Sequence, residues 1–174
     1  VAEYKLDGER VQIHKKGHEV KLFSRSLEDI TQYYPDIVNN IGDSIKTDDG
    51  VFEAEIVPIN ENTGDFLPFQ ELMHRRRKHK LDEAVSQYPI TVNFFDVLYY
   101  DGKGDCSNLR YVERRDILKK IVKDGGFAKL VEQSIINTEN QIEGFFENSI
   151  NSGCEGLMLK TLDAPYRAGT RGSN

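Results

Sequence analysis

The 174-residue chain has no tryptophan, two methionines, five prolines and two cysteines. Cys106 and Cys154 stand far apart, and neither lies in a CxxC or His-flanked pattern, so the sequence offers no zinc framework. A reduced, intracellular setting is the simpler reading: cytoplasmic for an archaeal protein, nuclear for a eukaryotic one. No stretch approaches about eighteen uninterrupted apolar residues, and the opening Val1-Ala2-Glu3-Tyr4-Lys5 has no basic-then-apolar layout. The sequence therefore reads as neither membrane-spanning nor visibly secreted. An initiator Met is absent and the chain opens directly in a strand pattern, so the expectation is a piece of a longer polypeptide whose two ends are artificial.

Positive charge is also short: 23 Lys and Arg face 29 Asp and Glu, a formal net charge of −6. That balance argues against gripping nucleic acid through a bulk positive field, because phosphate neutralisation needs clustered cations. Any DNA contact must be local. One basic run, Arg75-Arg76-Arg77-Lys78-His79-Lys80, stands against the acidic background; as a solvated helix end it would be bland, as a patch it would be a contact site.

What is present is a globular balance, with 38% hydrophobic and 30% charged residues over a length suited to one domain, residues 1–174. The first twenty-five residues alternate as three short antiparallel strands around Tyr4-Leu6, Val11-Ile13 and Val20-Phe23. Ser26-Leu27-Glu28-Asp29 predicts a helix start, interrupted by Pro35 and ending near Ile41-Gly42. Val51–Ile59 reads as a strand with Glu53 and Glu55 on one side, Pro68–Lys80 as a helix, and Tyr88–Tyr100 as a central strand. Apolar spacing from Leu109 to Val122 predicts an amphipathic helix stopped by Gly125-Gly126. Thr138-Glu139-Asn140-Gln141 fits a capping box for a helix closed by Gly153, and Gly156–Leu162 returns as a strand before a loop-like tail. Without a regular βαβ rhythm, the predicted class is α+β with mainly antiparallel sheets flanked by helices.

Lys5-Leu6-Asp7-Gly8-Glu9-Arg10 places an amine, a carboxylate and a guanidinium around a glycine that permits a sharp turn, with alternation putting Lys5 and Asp7 on one face. An amine attacks phosphorus only when deprotonated, which nearby cations or desolvation favour. A K-x-D-G string is weak alone, but five further strings follow it in order: Phe23-Ser24-Arg25-Ser26, Val51-Phe52-Glu53-Ala54-Glu55, Pro68-Phe69-Gln70 with the basic run, Phe94-Phe95-Asp96-Val97-Leu98, and Glu155-Gly156-Leu157-Met158-Leu159-Lys160. Together, over nearly the whole chain, they resemble the covalent nucleotidyltransferases, and within them the ATP-dependent DNA ligases of the archaeal and eukaryotic replicative type.

The resemblance implies an ATP-grasp-like covalent nucleotidyltransferase fold and an adenylation domain. It implies that Lys5 takes AMP from ATP as a phosphoramidate, which then passes to the 5′-phosphate of nicked double-stranded DNA and is displaced by the 3′-hydroxyl. Asp7 belongs to the same catalytic motif. Arg10 would contact ribose or phosphate, and Arg25 the pyrophosphate or the nick phosphate. Glu55 would meet the ribose hydroxyls or, through water, the metal, while Glu155 helps hold Mg²⁺ and Lys160 contacts the α-phosphate. Glu3 would read the adenine amine, with Phe95 stacked on the purine and Met158 forming the opposite wall. Glu53 ranks below Glu55 as a functional acid, and His14, His18, His74 and His79 form no ligand spacing.

The same family continues past the R-A-G-x-R-G loop into a strand with a W-x-K-x-K motif, which this sequence lacks, together with the OB-fold and DNA-binding domains. The resemblance therefore also implies that those domains, and in some members a sliding clamp, are partners of the full polypeptide, that the chain alone is weakly active or inactive, and that a sheet edge is left open. RNA ligases, mRNA-capping guanylyltransferases and NAD-dependent ligases share the lysyl-nucleotide chemistry, and a non-catalytic nucleotide- or protein-binding module could share the fold; these remain alternatives.

Overall fold

The computed structural model describes residues 1–76 and 81–169. Its first three strands are β1 (Ala2–Lys5), β2 (Glu9–Lys16) and β3 (Glu19–Ser24), as the alternation predicts, but they do not form one meander. β2 and β3 are a hairpin in a six-stranded sheet, whereas β1 belongs to a separate three-stranded sheet. The Lys5–Arg10 string is therefore the crossing from one sheet to the other.

The larger sheet continues with β4 (Asp49–Pro58), β5 (Ile90–Tyr100) and β6 (Gly104–Asp105) in the order β3-β2-β4-β5-β6, with β7 (Ala128–Leu130) pairing parallel to β5. β5 is central, as expected, because Ile90, Val92, Phe94 and Val97 are all buried. Alternation sorts β4 cleanly: Phe52, Ala54 and Ile56 enter the core, and Glu53 and Glu55 share the opposite face.

Helices α1 (Pro35–Asn40) and α4 (Tyr111–Ile121) contribute Ile37 and Leu118 to that core. The broken helix expected up to Ile41-Gly42 is present, but it does not start at Ser26: its first helical turn is Thr31–Tyr33. The Ser24 carbonyl accepts from the Leu27 amide in a turn, Leu27 takes a positive φ of 63°, and the α-helix starts only at Pro35. Pro35 disfavours helical geometry at Tyr34 yet suits the first helical position itself. α4 ends at Ile121, with Val122 turning to extended backbone before Gly125-Gly126 is reached.

The smaller sheet has the order β8-β1-β9, where β8 is Gln133–Ser134 and β9 is Gly156–Leu159. Helix α5 (Glu139–Asn151) packs on it, with Tyr4 and Phe145 rings 4.9 Å apart. Its cap follows the sequence: Thr138 Oγ1 accepts from the Gln141 amide at 3.3 Å, although the Gln141 side chain accepts from Asn137 instead of from Thr138. β9 is shorter than the predicted Gly156–Leu162.

Helix α2 (Phe69–Arg76) fills the described part of the predicted Pro68–Lys80 helix, and α3 (Leu81–Gln87) precedes β5. The basic run is not a uniform patch. Arg75 is 1% exposed, pairs with Asp36, donates to the Tyr88 carbonyl at 3.0 Å and lies 5.3 Å from the Tyr34 ring centroid. A guanidinium that finds a carboxylate, a carbonyl and an aromatic face is held inside. Residues 77–80 of the run, His79 among them, lie outside the described residues. No described helix is long and apolar enough to cross a membrane.

Candidate active site

The crossing segment opens a cavity of about 520 Å³ between the two sheets. β1 carries Lys5 to its edge, and the Lys5 carbonyl accepts from the Glu155 amide at 2.8 Å, which seats Glu155 beside it. The Lys5 amine and the Glu155 carboxylate form an ion pair with both side chains partly open to solvent. The chain then leaves strand geometry, so Lys5 and Asp7 are not related by alternation. Instead Asp7 Oδ2 accepts from the Phe69 amide at 3.1 Å, at the N-terminus of α2, where carboxylates are favoured. Gly8 serves close approach and not the positive φ of a turn: a Cβ there would sit 2.3 Å from the Ile56 carbonyl oxygen.

Arg10, the second residue of β2, is in register with Glu55. Its Nε donates to Glu53 Oε2 and its Nη2 to the Tyr166 hydroxyl, both at 3.0 Å. Glu53, 1% exposed, thus belongs to a hydrogen-bonded network, while Glu55 faces the cavity. Burial pushes the Glu55 carboxyl up to about 8, against the opposing pull of Arg10, so it is mostly protonated at neutral pH.

Glu3, 2% exposed, accepts from the Tyr111 hydroxyl, pairs with Lys160 and lies 3.7 Å from Arg115. Its carboxylate is therefore already engaged. Lys160 Nζ is 5.3 Å from the Phe95 ring centroid and 5.0 Å from that of Tyr111. Phe95 projects from β5 opposite the buried Phe94, and Met158, 45% exposed, lines the cavity from β9. Arg25, just past β3, reaches the rim. All ten residues singled out from the sequence, Glu3, Lys5, Asp7, Arg10, Arg25, Glu55, Phe95, Glu155, Met158 and Lys160, line this one cavity.

Sequence reasoning missed Tyr111, Tyr166 and the pair formed by Asp96 and Arg114, which also line it. Arg114 grips both Asp96 oxygens, Nε at 2.7 Å and Nη2 at 3.0 Å, with both residues buried. The available signal was Asp96 itself, a carboxylate in an otherwise apolar strand, which must find a cation when buried. The described histidines His14, His18 and His74 do not line the cavity: His14 contacts Gln12 and the edge of Phe23, and His74 stacks on Tyr88. Burial holds the His14 imidazole below its usual range.

A model of the ATP dependent DNA ligase domain matches residues 1–174. The chain belongs to the ATP-dependent DNA ligase domain family. A DNA ligase from Nitrosopumilus maritimus is 62% identical over 173 residues, covering 99% of this chain and 29% of that relative. One from Sulfolobus acidocaldarius is 43% identical over 174 residues, again 99% of this chain and 29% of the relative. The chain thus spans under a third of the length of these relatives. Among solved structures, a mycobacterial DNA ligase D complexed with ATP and MES superposes with a TM-score of 0.74 at 25% identity, covering 99% of this chain and 51% of that one. Chlorella virus DNA ligase-adenylate shares the fold, with a TM-score of 0.55 at 16% identity over 95% of this chain and 55% of that one. The ligase-domain match disfavours the RNA-ligase, capping and non-catalytic readings.

Proposed function

We propose that this ligase domain is the adenylation core of an ATP-dependent DNA ligase. The observation that carries the reading is the Lys5 amine at the wall of the inter-sheet cavity, beside Glu155 and facing a second wall that bears Arg10, Glu55 and Phe95. The cavity has the size of a small-ligand site. In the proposed step the unprotonated Lys5 Nζ attacks the α-phosphorus of ATP and forms a P–N bond. The bond to the α–β bridging oxygen breaks, pyrophosphate leaves with the electron pair, and Nζ loses a proton to solvent. Catalysis of such in-line displacement is mostly positioning and charge stabilisation.

Lys160 supplies that positive charge, Arg10 on the opposite sheet holds the ribose or a phosphate of the bound nucleotide, and Arg25 at the rim suits the departing pyrophosphate or the phosphate of a nick. A protonated Glu55 is suited to a ribose hydroxyl. Phe95 offers an aromatic face to the purine and Met158 a polarizable opposite wall. Glu3, held by Tyr111 and Lys160, reads the adenine amine with its remaining acceptor capacity. Asp7 acts by fixing the nucleophile's loop to α2.

Among the described residues no three His, Cys, Asp or Glu side chains form a cage for a metal. Mg²⁺ needs none when substrate phosphates and water complete its shell, and the open carboxylate of Glu155 fits that role. The ion, when bound, neutralises phosphate charge. AMP would then pass to the 5′-phosphate of nicked double-stranded DNA for displacement by the 3′-hydroxyl, with OB-fold and DNA-binding domains and a clamp as partners in the longer protein.

Intact mass spectrometry after incubation with ATP and Mg²⁺ tests the first step. A covalent AMP adduct on the wild type and none on Lys5→Ala is expected, with a larger yield from a polypeptide extended through the W-x-K-x-K motif. An adduct of equal yield on Lys5→Ala, or none on either length of wild type, would sink the reading.

A further inference from the structure

After β9 the chain turns back to the larger sheet, and Tyr166 is the residue that lands on it. The Tyr166 amide donates to the Ser107 carbonyl at 2.9 Å, fixing the backbone. Its hydroxyl donates to Glu53 Oε1 at 2.8 Å and accepts from Arg10 Nη2 at 3.0 Å. Arg10 Nε meanwhile donates to the other oxygen, Glu53 Oε2, at 3.0 Å. Gln12 Nε2 also donates to Glu53 Oε1 at 3.0 Å, so that carboxylate is held from three sides.

A guanidinium gripped at Nε alone can pivot about that bond. A second acceptor on Nη2 fixes its plane, and a hydroxyl that also anchors on the same carboxylate makes the arrangement a closed ring. Burial, with Glu53 beside it, pushes the Tyr166 hydroxyl up to about 12, so it stays protonated and able to donate at physiological pH. The guanidinium so fixed lies 5.9 Å from the Phe95 ring centroid on the cavity wall.

We propose that Tyr166 is a positioning residue that orders the Arg10 guanidinium and thereby sets how tightly the cavity holds a nucleotide triphosphate. The affinity consequence rests on the adenylation reading given above; the ordering of Arg10 does not. The ordering hydroxyl comes from the segment that follows β9, the last strand of the smaller sheet, and acts on a residue of the larger one. Nucleotide affinity and the placement of that returning segment are coupled through one phenol.

The test has two arms on the same set of proteins. In the first, the side-chain Nε–H resonance of Arg10 is followed by NMR without nucleotide. Tyr166→Phe should shift and broaden it, whereas Tyr99→Phe, at an exposed tyrosine far along β5, should not; an unchanged Arg10 signal in Tyr166→Phe overturns the proposal. In the second, lysyl-AMP formation is measured against ATP concentration. Tyr166→Phe should raise the half-saturating concentration by about threefold to tenfold with the maximal rate within about twofold, as loss of one charge-assisted bond to a uniform binding group implies. The same substitution in an Arg10→Lys background should add nothing, and an equal further loss there would mean that Tyr166 acts independently of Arg10. If neither the wild type nor its extended form makes the adduct or binds ATP, the adenylation reading has failed, and the Arg10 resonance alone then decides whether Tyr166 orders it.

Discussion

The two sheets that share the cavity are built to different standards. The six-stranded sheet owns the contiguous core, with Ile13, Leu22, Phe52, Phe94, Ile56 and Leu118 fully buried. The three-stranded sheet buries Ala2 and leaves Met158, Leu159, Phe146 and Ile150 substantially exposed on or beside it. The division of chemistry follows the same line. The thin sheet carries Lys5, Glu155 and Lys160, whose positions are set by strand ends and the backbone hydrogen bonds of Glu155 with Lys5 and of Lys160 with Val1. The thick sheet carries Arg10, Glu55 and Phe95 on a face whose reverse is packed solid. On the proposed adenylation reading, the attacking amine sits on the lightly packed side and the wall that would meet the nucleotide on the other.

The largest expected effect tests the packed side. Phe94 touches Phe52 edge-on with centroids 5.8 Å apart and is fully buried. Phe94→Ala should cost about 3–5 kcal/mol in urea unfolding, enough to abolish the folded state of a marginal domain. A loss under about 1 kcal/mol would mean that the core is not shared as tightly as its burial implies.

The next effect lies at the wall itself. Glu55 has its carboxyl raised from 4.5 to about 8, chiefly by burial. The sign follows from which state holds the proton. The unfolded chain ionises this residue above pH 4.5 while the folded chain keeps it neutral until about 8. Stability tied to Glu55 is therefore fully present below 4.5 and is lost as pH rises towards 8, by up to about 3 kcal/mol at neutral pH. Glu55→Gln should be the more stable protein at pH 8, and the difference should vanish near pH 4. Parallel stability profiles for the two proteins would show that the buried carboxyl is solvated or paired in the folded state.

These two predictions rest on features of unequal legibility in the sequence. β5 and α5 could be read directly, because an apolar run bounded by turn residues and a Thr-to-Gln cap are local signals. The cavity lining was legible too, since its residues come in short ordered strings. What could not be read is what depends on distant partners. β1 looks like the first strand of a meander, yet its neighbours β8 and β9 lie more than a hundred residues on. Arg75 looks like part of a solvated run until Asp36 and the Tyr34 ring are seen to draw it inward. Arg114 and Arg115 sit among the charges of an amphipathic helix, and it takes the buried Asp96, backbone carbonyls such as those of Phe94 and Val131, and Glu3 to explain why both are buried. A polar residue in a local pattern announces its charge but not its counter-charge.

The smallest expected effect tests the thin sheet. Leu159 ends β9 at 59% exposure, on a strand hydrogen-bonded to β1 along one edge and given no second neighbour among the described strands. If that face is solvent-exposed in the free chain, Leu159→Ser should change stability by less than about 0.5 kcal/mol and leave the sedimentation coefficient untouched. An open edge flanked by apolar side chains is, however, a template for pairing. Should the wild type sediment as a concentration-dependent dimer that Leu159→Ser dissolves, the edge is in use between copies, and the contrast between the two sheets narrows. Should both proteins remain monomeric with matching unfolding curves, the thin sheet is as lightly buried in solution as its exposure indicates, and the support of Lys5 rests on the crossing segment and its tie to α2 through Asp7.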